Sequence, residues 1–204
     1  MSGSRRVSLA RPHPRRGSAI IPPVLPLASL SKRPVTGSTL RAPGAILLVS
    51  CYELGHQPLG VASAAAFLRR AGFAPAALDL SVEGFDPERV ARARLICVSV
   101  PMHTALRLGV RAVAQVREVN PTAHVCFHGL YAALNAAWLL EHGGDSAIGG
   151  ESEAALVALA EALEAGRPPI NPGLNRRGHA APPSLDRLDF EALARDALPP
   201  LDRY

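Results

Sequence analysis

Aromatic side chains are scarce, at 4% of 204 residues, and no stretch interleaves basic residues with rings on which bases could stack. The net charge of +5 does not restore a nucleic-acid reading, because it is confined to the start of the chain. Residues 1–44 hold Arg5, Arg6, Arg11, Arg15, Arg16, Lys32, Arg33 and Arg41 and no acid, which leaves 14 basic against 17 acidic groups, or −3, for the rest. No nucleic-acid partner is expected. Cysteine is nearly absent too. Cys51, Cys97 and Cys126 are odd in number and lack C-x-x-C spacing, which argues against a disulfide framework and a cysteine-built zinc site and fits a reducing cytoplasm. Long apolar runs are missing: nothing approaches the roughly 18 uncharged residues of a membrane span, and residues 19–30 are interrupted by Pro22, Pro23 and Pro26. No membrane partner is expected.

What is present divides into three parts. Residues 1–44, with seven prolines and seven serines, read as a disordered basic leader; their composition is that of a transit peptide, but the prolines break an amphipathic helix. Residues 45–166 alternate short apolar runs with helical stretches. The runs are 45–50, 75–80, 95–100, 123–128 and 145–150, and the first and third are apolar almost throughout, as strands covered on both faces must be. Pro58 and Gly72 bracket a first helix, Asp86-Pro87 caps a second, and a third runs from His103 to Val119. The third sets Leu106, Val110, Val113 and Val116 opposite Arg107, Arg111, Gln115 and Glu118. A fourth spans about 132–141, and a fifth begins near Ser152 and buries Leu156, Leu159 and Leu163. The order predicts an α/β fold, a three-layer α/β/α Rossmann-like (flavodoxin-like) domain with a five-stranded parallel sheet in the order 2-1-3-4-5. Residues 167–204, with seven prolines, read as a linker.

In such sheets ligands bind beyond the carboxyl ends of the strands, near the switch point between strands one and three. That gathers 51–60, 99–104, 128–131 and 149–152 around one crevice. A phosphorylated receiver is excluded, since the strand ends read Ser50-Cys51, Val100-Pro101 and Gly150-Glu151 where paired acids, an Asp and a Lys are needed. Gly55 and Gly60 lack G-x-G-x-x-G spacing, and the loop has no hydroxyl-rich phosphate cradle, so dinucleotide and flavin mononucleotide sites fail as well. What remains is a crevice of small residues able to take a large flat ligand. A cysteine hydrolase using Cys51 is the weakest alternative, because no orienting acid or oxyanion loop accompanies it.

The loop ending Gln57-Pro58-Leu59-Gly60, the helix with Leu68-Arg69-Arg70-Ala71-Gly72, the Ser99-Val100-Pro101 turn and the run Ile148-Gly149-Gly150-Glu151-Ser152-Glu153 resemble the N-terminal cobalamin-binding domain of radical SAM proteins. The tail Leu198-Pro199-Pro200-Leu201-Asp202-Arg203-Tyr204 is similar to the linker that precedes the radical SAM barrel. The stretch 50–60 resembles a subgroup whose members carry a Cys- or selenocysteine-Ala-Glu-Pro tail. The resemblance implies cobalamin held by Glu53, Gly55, His56, Gln57, Gly60, Ser99, Val100, Pro101, His103, Thr104, Gly129, Leu130, Tyr131, Gly149, Gly150 and Glu151. It implies base-off cobalamin without a histidine on cobalt, since His56 has Leu54 two residues before it and Leu59 three after, in place of the Asp-x-His-x-x-G of ligand-replacing domains. It also implies a radical SAM domain in cis or trans as partner. The iron-sulfur cluster and S-adenosylmethionine belong to that domain, because the three cysteines here cannot form Cys-x-x-x-Cys-x-x-Cys, and this chain alone is not expected to be catalytic. The alternative is a degenerate module that keeps the fold and serves for docking.

Overall fold

The computed structural model describes residues 39–190 and 192–204; most of the basic leader lies outside the described residues. The strands are β1 (Ile46–Ser50), β2 (Ala76–Asp79), β3 (Leu95–Ser99), β4 (His124–His128), β5 (Ser146–Ile148) and β6 (Leu174–Arg176). They form one sheet in the order β2-β1-β3-β4-β5-β6. The first five pair in parallel and β6 runs antiparallel against β5. The helices are α1 (Leu59–Arg70), α2 (Pro87–Arg92), α3 (His103–Val119), α4 (Leu130–Leu134), α5 (Ala136–Glu141) and α6 (Ser152–Glu164). The chain passes from β1 out to β2 and returns to β3 on the other side of β1, so the switch point lies between β1 and β3.

The period of two along each strand divides the core into two layers. Ile46, Leu48, Leu95, Cys97, Cys126 and Ile148 pack under α1 and α6, while Leu47, Val49, Ile96, Val98, Val125 and Phe127 pack under α2, α3 and α5. Each valine, leucine, isoleucine and phenylalanine among them contributes about 1.5–3 kcal/mol by leaving water. The three-layer expectation holds. So does the face assignment of α3, whose Leu106, Val113 and Val116 are buried, whose Val110 is partly buried against the same layer, and whose Arg107, Arg111, Gln115 and Glu118 are exposed. Asp86 caps α2 as its spacing requires, accepting from the Glu88 and Arg89 amides at 3.0 Å each. No helix among the described residues is long and apolar enough to cross a membrane.

Three details differ from the sequence expectation. The sheet has six strands, because 174–176, placed in a proline-rich linker, adds an antiparallel edge. The fourth helix starts at Leu130 and is interrupted at Asn135, whose side-chain amide donates to the Tyr131 carbonyl at 2.9 Å. A short polar side chain that bonds its own backbone competes with helix continuation. The domain also begins before residue 45: Leu40 is buried, its amide donates to the Glu164 carboxylate, and Arg41 lies 4.5 Å over the Phe73 ring.

Candidate functional site

The carboxyl ends of β1, β3 and β4 carry a row of polar side chains in register. Ser99 pairs with His128, and the Val49–Val98 pairing brings Ser50 beside Ser99. By the alternation that turns Leu48, Cys97 and Cys126 toward α1 and α6, the residues two further on turn the same way. Ser50, Ser99 and His128 are 1%, 4% and 2% exposed, so three polar groups cap an otherwise apolar layer. Gly60, in the first turn of α1, closes over this row. A Cβ there would stand 3.2 Å from Ser99 Oγ, and glycine is what keeps the space between α1 and β3 free of side chain. Gly129 has φ +107° and would meet the Val100 carbonyl carbon at 3.3 Å if it carried a Cβ, so its identity lets β4 turn tightly over Val100 and Pro101.

His128 is the most constrained member of the row. Its Nδ1 faces Ser152 Oγ at 3.4 Å, and its Nε2 is buried with no hydrogen-bond partner. Burial pushes the imidazole down from its ordinary 6.5 to about 4, so it is neutral at physiological pH. The lowered pKa has a stability consequence. Above pH 6.5 the imidazole is neutral in both folded and unfolded chains; below that the unfolded chain takes the proton first, so stability falls as pH drops from about 6.5 toward 4. The full loss is about 3 kcal/mol at roughly 1.4 kcal/mol per unit. Urea unfolding of the protein and of His128→Leu at pH 7.0 and 4.5 checks this: the substitution is expected to remove most of the acid sensitivity.

The β1–α1 loop forms the near wall. The His56 amide donates to the Glu53 carbonyl at 3.0 Å, closing a tight turn in which Leu54 and Gly55 take φ of +56° and +76°. Leu54 is the one non-glycine residue in that conformation among the described residues, a strained state that tends to persist where a loop is shaped for use. Burial, with Asp79 adding to it and His56 opposing, raises the Glu53 carboxyl, and its Oε2 is buried without a partner. Leu54 and Leu59 after β1, and Leu130 and Leu134 after β4, are 54–79% exposed. Isolated exposed leucines are ordinary, but these four follow the ends of the two strands that flank β3 and give the rim of the crevice an apolar character on both sides. His56, His103 and Thr104 are exposed at the rim, and Pro101 is half-buried.

Several residues expected in the crevice are engaged elsewhere. Gln57 is buried and donates to the Arg195 and Pro199 carbonyls at 3.3 and 3.0 Å, while accepting from Arg195 Nη1 at 2.8 Å. Val100 and Tyr131 pack into the layer under α3. Gly149 and Gly150 accept the protein's own chain: Cβ atoms there would lie 2.0 Å from Ala133 Cβ and 1.8 Å from the Ser184 carbonyl oxygen. Glu151 is exposed at the start of α6, its amide bonded to Ser184 O. Leu54, Leu59 and His128 stood outside the expected ligand set; the signal for His128 was its place two residues beyond Cys126 on the same face.

Cys51 is poorly suited to act as a nucleophile. It is 6% exposed, and burial, with the Asp79 carboxylate beside it, pushes its thiol up to about 12. Two surface concavities, of about 320 and 350 Å³, lie along α1, one against α6 and one against residues 192–196.

The fold recurs in solved structures. Two of the radical S-adenosylmethionine methyltransferase TsrM from Kitasatospora setae are similar at 21% identity. The one with cobalamin and a 4Fe-4S cluster bound has a TM-score of 0.55 and covers 71% of this chain and 30% of that one. The one with tryptophan and a SAM analogue bound has 0.52, with 68% and 30% covered. This likeness concerns the fold, and the chain spans about 30% of the length of those enzymes. No curated protein matches. The family model described as "B12 binding domain" matches residues 45–160, from the start of β1 to the last turns of α6 and so more than half of the sequence; the chain belongs to the B12-binding domain family.

Proposed function

We propose that this chain holds base-off cobalamin against the carboxyl edge of β1, β3 and β4, as the cobalamin-binding part of a radical SAM protein whose radical-generating domain is supplied in cis or in trans. The observation that carries the placement is the Gly60–Ser99 approach at the β1/β3 switch point, where a glycine keeps α1 back from a buried hydroxyl. The residues fit the group. Leu54, Leu59 and Leu130 offer apolar area to a corrin face, Gly60 and Gly129 keep side chains away from the buried Ser99 hydroxyl and the Val100 backbone, and Glu53, His56, His103 and Thr104 supply polar rim contacts to its amide side chains. Bound cobalamin supplies organometallic chemistry at cobalt. The chain's own contribution is to bind and orient it and to keep water from one face. Gln57, Gly149 and Gly150 are assigned a supporting role, because Gln57 holds the Pro199 carbonyl and the glycines make room for Ala133 and Ser184. The 204 residues contain no Cys-x-x-x-Cys-x-x-Cys, which is why cluster chemistry is assigned to a separate domain.

Purified protein incubated with hydroxocobalamin is expected to carry the pigment through gel filtration near one equivalent, with an altered visible spectrum. A colourless protein overturns the cobalamin reading. A colourless protein that forms a stable complex with a separately encoded radical SAM protein would establish the docking alternative.

A further inference from the structure

Residues 193–204 run along one side of the β1–α1 loop, from α1 to the carboxyl end of β2. The Ala194 amide donates to the Ala62 carbonyl of α1 at 3.1 Å, Gln57 holds the middle of the segment, and the Tyr204 hydroxyl donates to the buried Asp79 carboxylate at 2.9 Å. Its apolar anchoring is slight. Only Ala194 and Leu198 are buried in this segment, and its regular structure is two single 3-10 turns, Arg195–Ala197 and Leu201–Arg203. The Arg69–Asp196 ion pair is exposed, and exposed pairs contribute little. Ordering every residue costs backbone entropy, so a segment with two apolar anchors opens locally far more readily than the sheet it rests on. Polar contacts therefore decide whether it stays docked. Gln57 makes the most of them: its nitrogen donates to the Arg195 and Pro199 carbonyls at 3.3 and 3.0 Å, and its oxygen accepts from Arg195 Nη1 at 2.8 Å. The same residue directly follows the turn closed from the His56 amide to the Glu53 carbonyl, in which Leu54 holds φ +56°. A strained turn persists only while its surroundings over-determine it.

We infer that docking of residues 193–204 and occupation of the crevice are coupled, with Gln57 as the positioning residue that couples them. The inference rests on the proposed function and goes beyond it, from holding the cofactor to reporting that it is held. Two states are involved. In one the segment is docked, Gln57 is clasped and the turn at 53–56 is held; in the other the segment has opened, the Gln57 amide meets water and the turn is free to relax. A ligand seated against Glu53 and Leu54 favours the first state, because those contacts exist only while the turn is formed. By linkage the effect is reciprocal: the factor that the docked segment adds to cofactor affinity is the factor that the cofactor adds to docking. A loaded crevice thus tightens residues 193–204, on the outside of the domain, and an empty one leaves them loosened.

The test reads amide hydrogen exchange by mass spectrometry on the full chain, empty and saturated with hydroxocobalamin, beside spectral titration of cobalamin affinity. In the unsubstituted protein the amides of residues 193–204 are expected to exchange about fivefold more slowly when the crevice is filled, the factor that one hydrogen bond is worth. Residues 177–184 are the control, because they rest on Gly149 and Gly150 and not on Gln57; their exchange is expected to change by less than about twofold. Arg195→Ala and Tyr204→Phe each remove a bond of the segment outside the crevice. Each is expected to speed exchange of 193–204 in the empty protein about fivefold and to weaken cobalamin about threefold. Gln57→Leu removes the whole clasp and is expected to weaken cobalamin about tenfold, with no slowing of 193–204 even at saturation. No pigment on the unsubstituted chain overturns the cobalamin site and this inference with it. Cobalamin bound with unchanged exchange at 193–204, or a segment loosened by Arg195→Ala and Tyr204→Phe at undiminished affinity, overturns the inference alone and leaves the site standing.

Discussion

Gly150→Val is expected to lower the melting temperature by about 10 °C and to release the segment around residues 177–190 to proteases. Two effects combine. Gly150 has φ +80°, where a β-branched residue loses roughly 1–2 kcal/mol. The new Cβ would fall 1.8 Å from the Ser184 carbonyl oxygen and 2.8 Å from its carbon, backbone atoms that cannot rotate away. Ser184 must leave, and with it go the bonds from the Glu151 amide to Ser184 O at 2.8 Å and from the Ser184 amide to Gly149 O at 3.2 Å, each about 1 kcal/mol. The sum, about 3–4 kcal/mol, converts to the stated shift for a chain of this size. Gly178→Val is the control. Gly178 has φ +75° with nothing within 4 Å of its virtual Cβ, so it pays the conformational term without the collision. Equal drops for the two variants would show that the contact with Ser184 contributes nothing.

That contact belongs to a larger arrangement in which residues 173–204 are built onto the domain. Ala194 and Leu198 are buried in the α1/α6 layer. The Gln57 amide holds both sides of the segment through Arg195 and Pro199, and the Tyr204 hydroxyl donates to the buried Asp79 carboxylate at 2.9 Å. Gln57 sits three residues before Gly60, in the wall of the crevice. The segment thus fixes the loop that shapes the site, and it covers the carboxyl ends of the outer strands β2, through Tyr204 and Asp79, and β5, through Ser184 and Gly150.

How far this could be read in advance depended on whether the cause was local. β1 and β3 were legible because strands buried on both faces need unbroken apolar runs, and α3 because its two faces separate cleanly at a period of 3.6. Asp86 and Gly72 act within their own few residues, so their roles followed from position: the Asp86 carboxylate caps α2, and Gly72 takes φ +81° after α1. β6 was not legible. Leu174–Arg176 is three residues long, flanked by Pro172 and Gly178, and it exists only because β5 offers an open edge. The same holds for Gln57 and for Gly149-Gly150. A glycine pair signals that something approaches the backbone closely, but whether the visitor is a cofactor or the chain's own Ser184 is a fact about residues 34 positions away. Within the candidate site, Gly60 and Ser99 were legible as small residues at the switch point. The orphaned Nε2 of His128 was not, since a missing partner is visible only when every neighbour has been placed.

Gly60→Leu is expected to abolish cobalamin retention, weakening binding at least about 30-fold, while leaving the fold intact. Gly60 is the second residue of α1 and is partly exposed, with no left-handed φ to preserve. Exchange for a good helix former therefore removes a helix penalty of about 1 kcal/mol. Against this stands one close approach, Ser99 Oγ at 3.2 Å from the virtual Cβ, which a few tenths of an ångström of movement relieves. The melting temperature is expected to stay within about 3 °C. The rest of the leucine side chain has no room between α1 and the Ser99 side chain and must project over the strand ends, where the cofactor is placed. Stability and binding thus separate: a structural glycine would lose both, and a site glycine loses the ligand alone. Gly60→Ala, which adds only the Cβ, should fall between, with pigment retained at reduced affinity. Spectral titration alongside thermal unfolding reads both quantities from one preparation. Pigment retained by Gly60→Leu with unchanged affinity would move the cofactor away from the β1/β3 switch point.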